Sequence, residues 1–152
     1  MITLRHLKET DAHRFHKLAH SSPDIKQYIP GIVRYDEEET KMFVSLWAKN
    51  EYAFMISANK VPVGAIFAEI NDVYNGLNIY YFLGKRFRGK KYMKKAIREF
   101  IVFCRNNTPF DYLLFDIEAT NEASRNLVKS LGAECICHAT HLFDFETYRI
   151  EL

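Results

Sequence analysis

The sequence predicts a mixed α/β domain: a mostly antiparallel sheet of about seven strands flanked by helices. Three observations predict it. Stretches of period-two alternation, such as residues 2–7 and 142–150, share the chain with stretches of helical period, such as 36–47 and 89–106. Turn-forming residues separate them at Asn59-Lys60, Asn75-Gly76 and Gly132. Residues 112–118 open on a nearly continuous apolar run, the pattern of a central strand. The 152 residues suit one domain, 1–152, since about 150 residues is the usual domain size.

The elements follow in order. In residues 2–7, Ile2, Leu4 and His6 alternate with Thr3, Arg5 and Leu7, which reads as a first strand. Thr10-Asp11 caps a helix to about His20, with Ala12, Phe15, Leu18 and Ala19 on one side. Ser22-Pro23-Asp24 starts a short second helix that Pro30-Gly31 ends. Asp36 caps a third, and Glu37, Glu38 and Glu39 fill its first turn, where the helix dipole favours negative charge. Its expected buried stripe is Met42, Phe43, Leu46 and Trp47. Strands at 52–57 and 63–70 flank the Asn59-Lys60 turn, and Asn75-Gly76 leads into a strand at 77–83. After Gly89 the period becomes helical, with Tyr92, Met93, Ala96, Ile97, Phe100 and Ile101 on one wide face. The strand at 112–118 is followed by a helix at 121–131 that Gly132 stops. Strands at 134–140 and 142–150 finish the chain. The connection from 77–83 to 112–118 calls for a right-handed parallel crossover.

Composition narrows the function classes. Apolar residues at 48% and charged residues at 26% exclude a disordered chain, a collagen and a coiled-coil rod. No apolar run approaches the roughly 18 residues of a membrane helix. The first six residues lack a basic stretch followed by an apolar one, so no signal peptide is expected. Three cysteines (Cys104, Cys135, Cys137) are too few for a disulfide framework, and a reducing, cytoplasmic setting is the expectation.

Charge is unevenly placed. Residues 85–98 hold eight basic side chains and no acid. The remaining chain carries 13 basic against 19 acidic residues, a net of −6. A mildly acidic protein thus has one strongly basic segment, the footprint of an anionic ligand. The segment contains Gly89 and opens a helix. The first N–H groups of a helix have no internal partner, and with the helix dipole they make a site best matched by phosphate.

The segment Arg86-Phe87-Arg88-Gly89-Lys90-Lys91 resembles the acyl-coenzyme A pyrophosphate loop of the GCN5-related N-acetyltransferase (GNAT) family. That pattern is Gln or Arg, two residues, Gly, one residue, then Gly or Ala. Asn121-Glu122-Ala123-Ser124, continuing to Leu131-Gly132, is similar to the family's helix after the fifth strand. The stretches 4–12 and 22–29 resemble the RimJ/RimL-like branch. The resemblance covers the whole chain and implies a GNAT fold with a V-shaped opening between the strands at 77–83 and 112–118. It implies an enzyme that moves an acetyl group from acetyl-CoA to a primary amine, a protein N-terminus or a small molecule, by direct attack. The pantetheine arm would pair near Phe82 and Leu83, and the pyrophosphate would lie on Arg86, Arg88, Gly89, Lys90, Lys91 and Tyr92. Asn121 would hydrogen-bond the cofactor, while Tyr28, Ile29 and Tyr35 would shape the acceptor site. The connection 138–145 would form its other wall. A monomer or homodimer is expected.

Direct attack needs a base for the amine proton and an acid for the leaving thiolate. Ser124 matches the branch's serine and is the candidate acid. Glu69 and Tyr80 are the candidate bases, and Asp116 and Glu118 read as ordinary solvent-facing strand residues. Three positions depart from the family. Lys91 stands where a small residue is usual, Val128 where many relatives carry a tyrosine acid, and Asn78 where many carry a glutamate. These motivate an alternative, a non-catalytic acyl-CoA sensor. His13, His16 and His20 share a helical face, and Cys135, Cys137, His138 and His141 cluster in sequence. Neither set matches the spacing of a structural zinc site, so no metal is expected, and the Cys-x-Cys pair reads as core. No RNA-binding signature accompanies the basic segment, and no nucleic-acid partner is expected.

Overall fold

A computed structural model describes residues 1–28 and 36–152, with residues 26–28 described by backbone alone. The strands are β1 (Ile2–His6), β2 (Ala53–Ala58), β3 (Val61–Asn71), β4 (Gly76–Leu83), β5 (Tyr112–Glu118), β6 (Glu134–Cys137) and β7 (Phe145–Glu151). The helices are α1 (Ala12–Ala19), α2 (Pro23–Tyr28), α3 (Glu37–Ala48), α4 (Tyr92–Asn107) and α5 (Glu122–Ser130). Short 3-10 turns occupy Glu9–Asp11 and Lys85–Phe87. The seven-stranded sheet has the order β1-β2-β3-β4-β5-β7-β6. β1 and β2, β2 and β3, β5 and β7, and β6 and β7 pair antiparallel. The crossover through α4 makes β4 and β5 parallel, as expected, with a ladder from Gly76–Tyr112 to Asn78–Leu114.

The chain divides into two compact units, Met1–Phe67 with Tyr80–Glu99, and Ala68–Ile79 with Phe100–Leu152. In the first, Phe15 is the hub. It meets Phe82 edge-on at 5.2 Å and lies 5.8 Å from Phe43 and 6.5 Å from Phe67. Ala12, Leu18, Ala19, Val44, Met55 and Ala65 complete this core. The β2–β3 hairpin turns through Asn59 (φ 50°) and Lys60 (φ 69°), and two consecutive positive φ values match the right-handed strand twist. Gly64 is set by close approach, because a Cβ there would lie 2.1 Å from the Phe82 carbonyl oxygen. In the second unit, Leu77, Leu113, Leu114, Phe115, Val128 and Tyr148 are buried.

Several sequence expectations need correction. Asp11 makes no side-chain cap on α1; its carboxylate instead accepts from the Lys8 N–H and pairs with Arg5 at 2.8 Å. The buried face of α3 is Thr40 and Val44, with Phe43 and Trp47 partly covered, whereas Met42 and Leu46 are each 69% exposed. Phe67 decides this face, since it packs on Trp47 at 4.8 Å and on Phe43 at 6.0 Å. The strand expected at 134–140 stops at Cys137, because its register shifts between Cys135 and Cys137. Thr140 then closes a turn, donating its N–H to the Phe143 carbonyl and accepting from the Leu142 N–H, so the last strand starts at Phe145 rather than at 142. For the same reason the Cys-x-Cys pair is not core: Cys135 is half-buried and Cys137 exposed. Cys104 is buried on α4, and that burial pushes its thiol up to about 12.

Candidate acyl-coenzyme A site

The site begins where β4 ends. The Gly84 N–H donates to the Val63 carbonyl and the Lys85 N–H to the Ser21 hydroxyl, each at 2.9 Å, which ties the loop to β3 and to the end of α1. The Phe87 N–H returns to the Gly84 carbonyl at 2.9 Å, making the 3-10 turn. The Arg88 guanidinium is held by the protein itself. It donates to Asp24 Oδ2 at 2.7 Å and reaches the Leu83 carbonyl at 3.5 Å. Burial would raise the Asp24 pKa, but hydrogen bonds from the Ser22 hydroxyl and Arg88 outweigh it, so the carboxyl sits below its ordinary value. Arg88 therefore shapes the loop by its side chain and is left to contact a ligand by its backbone.

Beyond Arg88 the chain turns through Gly89 (φ 76°) and Lys91 (φ 62°) before α4 starts. A Cβ on Gly89 would meet nothing within 4 Å, so open space faces this residue. Lys91 holds the left-handed geometry that a glycine adopts without strain, which gives its departure from the family pattern a physical cost. The first helical hydrogen bond here runs from the Lys95 N–H to the Lys91 carbonyl at 3.3 Å. Among the described residues, no protein acceptor meets the N–H groups of residues 89–94. Seven of the eight basic side chains nearby (Lys85, Arg86, Lys90, Lys91, Lys94, Lys95 and Arg98) form no ion pair with a described carboxylate. Arg86 lies over the Phe87 ring at 4.6 Å and Lys90 near the Tyr92 ring at 6.0 Å. A cavity of about 230 Å³ beside the turn adds Arg14 and Lys17 to the positive lining supplied by Lys85 and Arg86. Six open amides amid unneutralised cations can hold a polyanion such as a diphosphate.

Phe82 and Leu83, on the strand leading into this loop, are buried. Tyr80 is half-buried and stacks on Phe67 at 5.8 Å. The other candidates lie in the second unit. Glu69 is exposed. Asn78 is half-buried and accepts from the Asn71 amide at 3.2 Å. The Asn121 side-chain oxygen caps α5 by accepting the Ser124 N–H at 3.2 Å. Ser124 is half-buried one turn into α5, and Val128, one turn further, is fully buried as a packing residue. Asp116 is exposed and accepts from Thr147 at 2.7 Å, and Glu118 is half-buried. Ile29 and Tyr35, with the Tyr28 side chain, lie outside the described residues.

Sequence reasoning missed the residues that hold the loop. Ser21 and Asp24 act from 64 positions away, and only their places at a helix end and a helix start hinted at polar roles. The His16 and His20 rings pack at 4.0 Å, but each histidine has its own partner: His13 pairs with Glu37 at 2.6 Å, His16 with Thr40 at 2.7 Å, and His20 with the His16 carbonyl at 2.9 Å. Among the described residues no helix is long and apolar enough to cross a membrane.

This loop-to-helix arrangement in a seven-stranded α/β sheet defines an acyltransferase-type fold. Residues 1–134 match the model of the Acetyltransferase (GNAT) domain, and the chain belongs to that family of acetyltransferase enzymes. Solved structures agree on the fold. The ribosomal L7/L12 α-N-protein acetyltransferase RimL in complex with coenzyme A superposes with a TM-score of 0.85 at 17% identity, covering 99% of this chain and 94% of that one. An acetyl transferase from Salmonella typhimurium that modifies the N-terminal serine of L7/L12 gives 0.81 at 18%, covering 99% and 95%. Spermidine N-acetyltransferase from Vibrio cholerae, bound to CoA and spermine, gives 0.82 at 16%, covering 99% and 94%. No curated protein matches by sequence.

Proposed function

We propose that this enzyme takes acetyl-CoA as donor and acetylates a primary amine, either a protein N-terminus or a small polyamine-like molecule, in a cytoplasmic setting. The observation that carries the reading is the run of amides at residues 89–94 that meet no acceptor among the described residues, beside lysines and arginines that pair with no described carboxylate. The diphosphate of the donor lies on those amides, and Lys90, Lys91 and Arg86 neutralise it at longer range. The pantetheine arm runs along the backbone of Phe82 and Leu83, and the Asn121 amide donates to it. Neighbours of the same fold whose structures hold CoA support this choice of donor.

The amine attacks the thioester carbonyl directly. The nitrogen gives up a proton as the new C–N bond forms, the C–S bond breaks, and the sulfur takes a proton. Ser124 delivers the proton to the thiolate. Glu69, acting through water, takes the amine proton, with Tyr80 as the alternative base. The acceptor enters against Tyr28, Ile29 and Tyr35. Val128 is buried and has no acidic proton to give, so Ser124 is the proton donor on α5.

Thiol release from acetyl-CoA with a panel of peptide N-termini and polyamines tests the whole reading. Turnover with at least one amine, lost in Ser124→Ala without change in acetyl-CoA affinity, is the expected result. Tight CoA binding with no turnover on any amine would instead identify a sensor, the case that Lys91, Asn78 and Val128 motivate.

A further inference from the structure

The second unit holds a side-chain cluster that acetyl transfer does not use. Cys135 lies on β6 directly opposite Tyr148 of β7, and Glu146 sits two residues along β7 on the same face. The register shifts between Cys135 and Cys137, β6 ends at Cys137, and the His138 ring just beyond it reaches both side chains. Cys135 Sγ is 3.6 Å from His138 Nδ1, and the same Nδ1 is 3.4 Å from Glu146 Oε2. All three atoms lie within 4.8 Å of one another.

The two short separations match metal coordination edges. With Zn–S near 2.3 Å and Zn–N or Zn–O near 2.0–2.1 Å, a tetrahedral ion sets S···N at about 3.5 Å and N···O at about 3.4 Å. Both short contacts also converge on one nitrogen. A single ring proton serves only one of them, whereas a cation at the centre of the triangle serves the sulfur, the nitrogen and the oxygen together. The carboxylate is already aimed. Its other oxygen, Oε1, accepts from the buried Tyr148 hydroxyl and from Arg125 Nε, each at 2.8 Å, the outer support that metal-binding carboxylates need. Glu146 is 8% exposed, and His138 lies open to solvent, so an ion has a way in. The thiolate and imidazole select a borderline-soft cation over magnesium or calcium.

We propose that Cys135, His138 and Glu146 form a binding site for a zinc-class divalent cation, with water in the fourth position. The ion would tie β6, four residues at the end of the sheet order, to β7. The charge of Arg125 nearby makes this a labile site rather than a permanent structural one.

The test is titration of the full, metal-free chain with Co²⁺, followed by displacement with Zn²⁺. The expected result is one equivalent of Co²⁺ with a thiolate-to-cobalt charge-transfer band and visible bands of tetrahedral intensity, all bleached by one equivalent of Zn²⁺. Cys135→Ser removes the charge-transfer band, and Cys137→Ser keeps it. His138→Ala, at an exposed position that leaves the fold intact, weakens binding by about tenfold or more, since even outer-shell losses cost about 10–100-fold. A protein without the band, a band that survives Cys135→Ser, or one that disappears in Cys137→Ser would overturn the proposal.

Discussion

Two helix starts in the first unit make opposite use of the same physics. At α3 the chain fills its own N-terminus: Asp36 accepts the Glu39 N–H at 2.8 Å, and Glu37, Glu38 and Glu39 place negative charge in the first turn. At α4 no described residue fills it. The amides of residues 89–94 stay open, and positive charge crowds an end where the helix dipole already disfavours it. The first arrangement stabilises the fold. The second is destabilising until an anion arrives, which is what a binding site for a diphosphate requires.

The comparison breaks most readily at Gly89. Gly89→Trp would put an indole into the open space before the amides, and acetyl-CoA affinity by calorimetry should fall by about a hundredfold, or about 2.7 kcal/mol. The melting temperature should also fall, by about 2–8 °C, because a non-glycine residue at φ 76° costs about 1–2 kcal/mol even though its Cβ meets no protein atom. The mirror experiment is Asp36→Ala. It should cost about 1 kcal/mol of stability, a drop of about 2–4 °C in a chain of this size, and leave acetyl-CoA affinity unchanged.

A smaller effect sharpens the contrast at Lys91. Its left-handed backbone costs about 1–2 kcal/mol, while glycine there gives back part of that through a freer unfolded chain. Lys91→Gly should therefore raise the melting temperature by about 1–2 °C, and loss of one unpaired cation should weaken donor binding slightly at low salt. The smallest effect concerns the Asp24–Arg88 clasp. A carboxyl held below its ordinary value contributes stability above roughly pH 4 and loses it as pH falls through the lowered value. Chemical denaturation at pH 7 and pH 3 should show a slightly smaller acid loss in Arg88→Met than in the parent. The pair is partly exposed, so the difference belongs in the range of about 0–1 kcal/mol.

What the sequence made legible was local. The Asp36 cap, the turns at Asn59-Lys60 and Asn75-Gly76, and the Gly89 loop each depend on neighbouring residues, and each is found where the residue types place it. The parallel crossover also followed, because handedness rules leave one choice. The rest depended on partners far along the chain. Phe67 decides which face of α3 is buried, and Asp24 decides where the Arg88 guanidinium goes. The register shift at Cys135 and Cys137 defeats the alternation rule that made both cysteines look like core.

Amide chemical shifts test the central claim most directly. Titrating ¹⁵N-labelled protein with CoA should move the backbone N–H signals of residues 89–94 further than any other helix start, while Glu37, Glu38 and Glu39 stay in place. Saturable CoA binding that left residues 89–94 unshifted would show that the diphosphate sits elsewhere and would contradict the account.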